Sequence, residues 1–268
     1  MTRPFVLLKL GGSLITDKAR PRIARHAAIR RLSRELAAAA DGPRAPRLLV
    51  GHGSGSFGHA AAAEGGLTPG ADARRSLDAI ARTQQASADL HRIVVAALAD
   101  AGARPFSLAP SSFLYAANGR VTRSFTDPIF AALELGLLPV VYGDVVLDRT
   151  RGAVIVSTEE LFLVLVKEAA RRGNPVARVV WLGETDGVRG LDGRTIARLS
   201  AAEAKRTARR VTGASGIDVT GGMALRLRAA GTLARAGVAS TIVDGRRAGA
   251  VAAAIAGRDT GGTRVDLG

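Results

Sequence analysis

The feature that most constrains this chain is a recurring unit: a short apolar run stops at a glycine turn and is followed by a stretch of helical periodicity. Phe5–Leu10 ends at Gly11, residues 47–50 end at Gly51, and residues 176–182 end at Gly183. Apolar runs without alternation are the mark of strands buried on both faces, as in a parallel sheet covered by helices. Further strands are predicted at 105–108, at 138–146 with a break at Gly143-Asp144, at 153–156 and at 240–243. Ile29, Leu32, Leu36 and Ala39 recur at helical spacing within 23–40, and similar patterns predict helices over 77–101, 159–172, 223–236 and 248–256. Asp127-Pro128 reads as an N-cap with Pro at the first helical position. Residues 190–216 are the least regular and are predicted to form a surface excursion. No internal repeat or linker interrupts the alternation. The expected fold class is α/β, one domain over 1–268 built as an αβα sandwich with a mainly parallel central sheet.

Composition narrows the function classes. A 47% hydrophobic content describes a globular chain with a full core. There is no cysteine, which excludes disulfides, zinc-finger ligation and thiol catalysis. The first apolar run is too short for a signal segment or a membrane span, so a cytoplasmic protein without a membrane partner is expected. The net charge of +15 invites a nucleic-acid reading. The arginines, however, are scattered in pairs such as Arg30-Arg31 and Arg209-Arg210 and rarely meet aromatics, so the expected role of the charge is a solvated surface.

Within that surface the lysines are selective. Of 38 Lys and Arg residues only four are Lys: Lys9, Lys18, Lys167 and Lys205. Two of them bracket the turn Lys9-Leu-Gly-Gly-Ser-Leu-Ile-Thr-Asp-Lys18, and two of the four histidines flank Gly51-His-Gly-Ser-Gly-Ser-Phe-Gly-His59. A chain that has drifted this far toward Arg keeps compact ammonium groups where a compact cation is needed. Glycine turns that bare backbone N–H groups beside such cations suit bound phosphates. Gly53-Ser-Gly55-Ser-Phe-Gly58 also fits dinucleotide-motif spacing, but no acidic residue stands at a strand end at the required distance.

Taken together, Lys9–Lys18, His52–His59, Pro139-Val-Val-Tyr-Gly-Asp-Val145, Thr185-Asp-Gly-Val188 and Asp218-Val-Thr-Gly-Gly-Met223 resemble the amino acid kinase superfamily, in order and over nearly the whole chain. The Ser-Phe-Gly-His ending and the second lysine nine residues after the first resemble its isopentenyl phosphate kinase branch. The resemblance implies transfer of the ATP γ-phosphoryl group to isopentenyl phosphate, with ATP and Mg²⁺ as cofactors, in a cytoplasmic homodimer. It implies an acceptor lobe over about 1–150 and an ATP lobe over about 151–268. Lys9, Lys18 and His59 take catalytic positions: the lysines on the donor phosphates and the group in flight, His59 on the acceptor phosphate. Lys9, Gly11, Gly12, Ser13 and Ser54 face ATP, with Glu184, Asp186, Gly222 and Arg226 from the second half. Gly53, Gly55, Gly58, His59 and Thr158 meet the acceptor phosphate. Val145, Ile155 and the helix from Leu77 enclose an isoprenoid tail or are ordinary core. Asp144 and Glu159 are organising carboxylates, although Asp144 also reads as a turn residue capping a strand end and Asp186 as an ordinary Asp-Gly turn. No side chain is assigned as a direct metal ligand. His52 reads as structural, and His26 and His91 as solvated or merely packed.

The chain departs from the branch pattern at Ser54, which stands for glycine, and at Ser157-Thr-Glu-Glu160, which stands for Ser-Gly-Asp-Asp. It departs again at Gly183-Glu184, which stands for Thr-Asp, and at Arg226, which stands for lysine. Two other functions are compatible with the same features: a kinase for another small phosphate or phosphonate such as fosfomycin, and a non-catalytic nucleotide-binding sensor.

Overall fold

The computed structural model describes residues 3–67, 72–213 and 222–268. The chain begins β1 (Phe5–Leu10), α1 (Gly12–Ile15), α2 (His26–Ala40), β2 (Arg47–His52), α3 (Gly55–Glu64) and α4 (Leu77–Asp100). It continues through β3 (Pro105–Ser107), α5 (Pro110–Phe113), β4 (Leu114–Ala117), β5 (Arg120–Ser124), α6 (Asp127–Glu134), β6 (Leu138–Tyr142), β7 (Asp144–Asp148) and β8 (Gly152–Val156). The rest is α7 (Thr158–Arg171), β9 (Val176–Gly183), β10 (Arg198–Ser200), α8 (Ala201–Gly213), α9 (Gly222–Arg235), β11 (Ser240–Asp244), α10 (Ala250–Ala256) and β12 (Thr263–Asp266).

An eight-stranded sheet runs β10-β12-β11-β9-β1-β2-β6-β3, parallel throughout except where β11 meets β12. Strand β1 lies between β2 and β9, so both halves of the chain meet along it. Its residues alternate between two cores. Phe5 and Leu7 pack under α6, α7 and α9, while Val6, Leu8 and Leu10 pack under α2, α4 and α10. Burying each such side chain stabilises the fold by about 2 kcal/mol. The alternation puts Lys9 on the α7 face at the carboxyl end of the sheet, and its partner in register across β2 is Gly51.

The strands and long helices follow the apolar pattern, with ends shifted by a few residues. Three expectations change. The run 138–146 is two strands in two sheets: β6 stays in the central sheet, while β7 joins a second, four-stranded sheet ordered β5-β4-β7-β8. The hairpin of β4 and β5 turns through Asn118 and Gly119, both at positive φ (54° and 75°), as an Asn-Gly turn requires. In 190–216, the described part is mostly ordered structure. Ser200 and Glu203 exchange N-terminal hydrogen bonds at the start of α8, and Ala201, Ala204 and Ala208 are buried along it. Thr126, one residue before the expected Asp127, is the N-cap of α6.

Candidate active site

The site lies where β1, β2 and β9 end. Lys9 is buried there between the in-register Gly51 and Trp181. Glycine is needed at 51 because a Cβ would lie 2.7 Å from the Phe162 ring of α7. Helix α7 begins with a capping box: the Glu160 N–H donates to Ser157 Oγ at 3.1 Å, and the Ser157 N–H donates to Glu160 Oε2 at 2.9 Å. The cap leaves Glu159, 2% exposed, facing the sheet, where it forms a buried ion pair with Lys9. Burial pushes the Lys9 pKa down; Glu159 opposes this and Arg226 adds to it. Burial alone would raise the Glu159 carboxyl, but Lys9 and Arg226 outweigh it and hold it below its ordinary value. Both predicted groups are therefore present, and they are partners 150 residues apart.

The two glycine turns touch backbone to backbone. A Cβ on Gly12 would lie 2.7 Å from Gly55 Cα, and one on Gly53 would lie 3.1 Å from Gly12 N. Thr16, fully buried, bridges the turns: its hydroxyl donates to Gly12 O at 2.8 Å and accepts the Ser56 N–H at 3.0 Å. Gly53 directs its own N–H to Leu10 O at 3.1 Å, so its part in the turn is close approach rather than donation. The Ser54 and Gly55 N–H groups have no protein acceptor among the described residues. They open α3, whose N-terminus favours an anion. Ser54 has ordinary helical angles (φ −68°, ψ −10°), and its side chain packs against Gly58, where a Cβ would come within 2.6 Å of it.

His59, on the first turns of α3, is exposed. Partial burial first, then Lys9 and Lys18, lower its pKa against the opposing pull of Glu159, so the neutral imidazole is favoured. Lys18 is exposed on the loop closed by the Thr16–Ala24 bridge; the neighbouring Asp17 accepts the Ala19 N–H and Arg20 Nε–H, each at 2.9 Å. Gly11 and Ser13 flank the first turn; the Gly11 N–H donates to Leu182 O at 2.8 Å and joins it to β9.

Beneath the second turn, His52 and His91 are stacked on Tyr142 and hydrogen-bonded to each other at 3.0 Å. His91 is thus a packed residue with a specific partner. Burial, with Lys9 nearby, brings the His52 pKa down to about 4; burial, with His52 and Arg92 nearby, brings His91 down to about 3. The unfolded chain therefore binds more protons than the folded one below the ordinary histidine pKa. Stability is complete above that value and is lost as pH falls toward 4. For His52 alone, the loss by pH 4 is about 3 kcal/mol. Urea midpoints are expected to fall steeply between pH 7 and 4.5, and less steeply in a His52→Asn variant; equal slopes would remove the histidines as the cause.

On the other side of β1, Arg226 of α9 is 9% exposed, and its guanidinium lies against the glycine backbones: a Cβ on Gly183 would be 3.0 Å from Nη1. Gly222 starts the same helix. Residues 218–221 of the Asp218–Met223 motif lie outside the described residues. Glu184 follows β9 and pairs with Arg25, while Asp186 faces Arg189 at 3.8 Å.

Two further expected site residues, the acceptor-side Thr158 and the organising carboxylate Asp144, have internal partners. The Thr158 hydroxyl donates to His52 O at 2.7 Å and is buried. Asp144, 1% exposed, accepts the Ser111 N–H at 3.0 Å and the Val145 N–H at 2.8 Å; burial raises its pKa against those bonds. These bonds fasten α5 to the start of β7. Val145 and Ile155 are in register across β7 and β8 and join an apolar cluster with Ala62 of α3 and Ala79 and Ile80 of α4. A separate cavity of about 480 Å³ lies at the opposite, amino ends of β1 and β2. Its Arg3, Arg34, Arg47 and Arg104 stand near the C-termini of α2, α4 and α6, where cations offset the helix dipoles.

Two glycine turns in contact, a buried lysine–glutamate pair and an arginine on the same face of the sheet are the arrangement of a phosphotransferase of the amino acid kinase kind. The amino acid kinase family model matches residues 4–244, and the chain belongs to that family. Within it, the chain falls among the isopentenyl phosphate kinases. It is 33% identical to isopentenyl phosphate kinase from Methanothermobacter thermautotrophicus over 97% of this chain and 98% of that protein. It is 34% identical to the Haloferax volcanii enzyme of the same name over 84% and 86% of the two chains. An X-ray structure of an isopentenyl phosphate kinase superposes with a TM-score of 0.78 at 30% identity, covering 97% of this chain and 99% of the other.

Proposed function

We propose that this chain transfers the γ-phosphoryl group of ATP to isopentenyl phosphate, giving isopentenyl diphosphate and ADP. The observation that carries this reading is the neighbourhood of His59. One helical turn along α3 from this histidine is Ala62, which belongs to the apolar cluster with Val145 and Ile155. A phosphate beside His59 and the Ser54 and Gly55 N–H groups would have its hydrocarbon tail directed at that cluster, a reading that moves Ser54 from the expected ATP side to the acceptor side.

In the transfer, an oxygen of the acceptor phosphate forms a bond to Pγ while the bond from Pγ to the β-bridging oxygen breaks and ADP leaves. The attacking oxygen is already anionic, so the protein needs no base; its work is alignment and neutralisation of charge. Lys9 is held by Glu159 at the donor side, Lys18 reaches in from its loop, and neutral His59 donates a hydrogen bond to a non-transferring acceptor oxygen. Arg226, Gly222, Glu184 and Asp186 belong to the nucleotide side. This reading keeps the division into an acceptor lobe over about 1–150 and an ATP lobe over about 151–268, a homodimer and a cytoplasmic location.

Among the described residues no group of three or more His, Asp or Glu side chains is placed to hold a metal ion. Glu159 is engaged by Lys9, and Asp144 by Ser111 and Val145. The donor set does not fit a protein-held Mg²⁺; magnesium enters with ATP, on phosphate oxygens and water.

Arg226→Lys is expected to retain activity within about tenfold with a modest change in the KM for ATP, since the charge is kept and only the fork is lost. Complete inactivation would show that the guanidinium grips phosphate with both arms. The function itself is tested with γ-labelled ATP against isopentenyl phosphate, dimethylallyl phosphate, fosfomycin and UMP. Label is expected in isopentenyl diphosphate. Exclusive labelling of fosfomycin or UMP, or nucleotide binding with no transfer, would overturn the assignment.

A further inference from the structure

A chain of hydrogen bonds, buried at its centre, runs beneath the acceptor turn, and with both rings neutral only one arrangement of protons satisfies it. His52 Nδ1 lies 3.0 Å from Gly53 O, and a carbonyl only accepts, so the proton is on Nδ1. His52 Nε2 is then bare and accepts from His91 Nδ1 at 3.0 Å. His91 Nε2 is bare in turn and accepts the Ser107 hydroxyl at 2.8 Å. The direction runs from Ser107 on β3, through His91 on α4, to the Gly53 carbonyl. Tyr142 of β6 stacks on both rings, at 4.2 Å from His91 and 5.7 Å from His52. Both histidines are neutral in this arrangement, in keeping with their lowered pKa values.

The consequence lies in the next peptide unit. Gly53 C=O and Ser54 N–H belong to one planar trans peptide and point in opposite directions. Holding the carbonyl down toward His52 turns the Ser54 N–H up, away from the core, where it has no protein acceptor among the described residues. We propose that His91 is a positioning residue for the acceptor phosphate: through His52 it fixes the Gly53–Ser54 peptide so that the Ser54 N–H donates to that phosphate. This rests on the proposed reading of the turn as the acceptor cradle.

The test uses the ¹⁵N-labelled full chain titrated with inorganic phosphate, following the Ser54 amide resonance. In the unsubstituted protein this resonance is expected to move to saturation. His91→Phe keeps the ring stacked on Tyr142 but removes the donor; it is expected to raise the phosphate dissociation constant about tenfold, the worth of one aligned neutral hydrogen bond. His91→Asn places an N–H near the former Nδ1 and is expected to restore binding to within about twofold. A purely structural role would lower Tm in both variants without separating them in phosphate affinity. Should His91→Phe fail to fold, Ser107→Ala removes the terminal donor from an exposed edge strand and is expected to weaken phosphate binding in the same direction. Unchanged affinity in His91→Phe, or a Ser54 amide that ignores phosphate, overturns the proposal. Intact phosphate binding in a protein that transfers nothing to isopentenyl phosphate would instead overturn the functional reading alone.

Discussion

Replacing Lys18 by alanine is expected to lower kcat by at least about a hundredfold, the scale seen when one preorganised charge-stabilising donor is removed. Tm is expected to stay within about two degrees, because an exposed charge adds little to stability. The asymmetry follows from where the two lysines stand. Lys9 is buried and ion-paired with Glu159, so its removal would leave a buried carboxylate uncompensated and confound fold with catalysis. Lys18 is exposed on a loop whose geometry Asp17 maintains by accepting from Ala19 and Arg20. Its ammonium nevertheless lies close enough to act on the titration of His59. Single-turnover transfer measured beside a thermal melt decides the matter. A variant with unchanged turnover would place Lys18 outside the mechanism.

His59→Ala carries the second large effect, an expected loss of about a hundredfold in kcat/KM for isopentenyl phosphate while ATP binds with near-normal affinity. The imidazole is exposed on α3, and partial burial, then Lys9 and Lys18, favour its neutral form. A neutral ring can still donate one N–H to a phosphate oxygen, and the proton is retained through the transfer because the acceptor needs no deprotonation. The loss should therefore appear as misalignment of the acceptor rather than as a missing acid or base. ATP titration alongside single-turnover transfer separates these cases. Equal losses in ATP affinity and in transfer would assign His59 to the donor side, and an undiminished rate would remove it from the site.

Much of the fold is legible in the sequence because it is written at short range. Buried parallel strands are uninterrupted apolar runs, and each of the strands entering the site announces its end with glycine. Gly51 stands opposite Lys9 because β1 and β2 are in register, and the Phe162 ring needs the room a side chain would take. What escapes is of two kinds. Some signals are present but weak: Asn118-Gly119 is a hairpin turn, yet its flanking strands are short and β5 is largely exposed, so no apolar alternation frames it. The Ser200-Ala-Ala-Glu203 box opens α8, which buries the small side chains Ala201, Ala204 and Ala208 rather than the large apolar residues that mark the other core helices. Other features are relations rather than patterns. That Glu159 meets Lys9, that Thr158 serves His52, and that His91 serves His52 in turn are facts of register and helix placement between residues far apart in the chain. Residue identity marks each of them as worth attention without naming its partner.

The contact between the turns at Gly12 and Gly55 has a consequence for how this molecule meets two anions at once. With backbone against backbone and the Thr16 hydroxyl bonded to both sides, the two glycine turns are held together as one unit. If one turn holds the donor and the other the acceptor, as proposed above, the spacing between the two phosphates follows from van der Waals contact of the two backbones. Selection among acceptors then cannot come from adjusting that gap. On the proposed reading it falls to the far end of the acceptor, where the β7–β8 ribbon and α4 would limit how much hydrocarbon accompanies the phosphate.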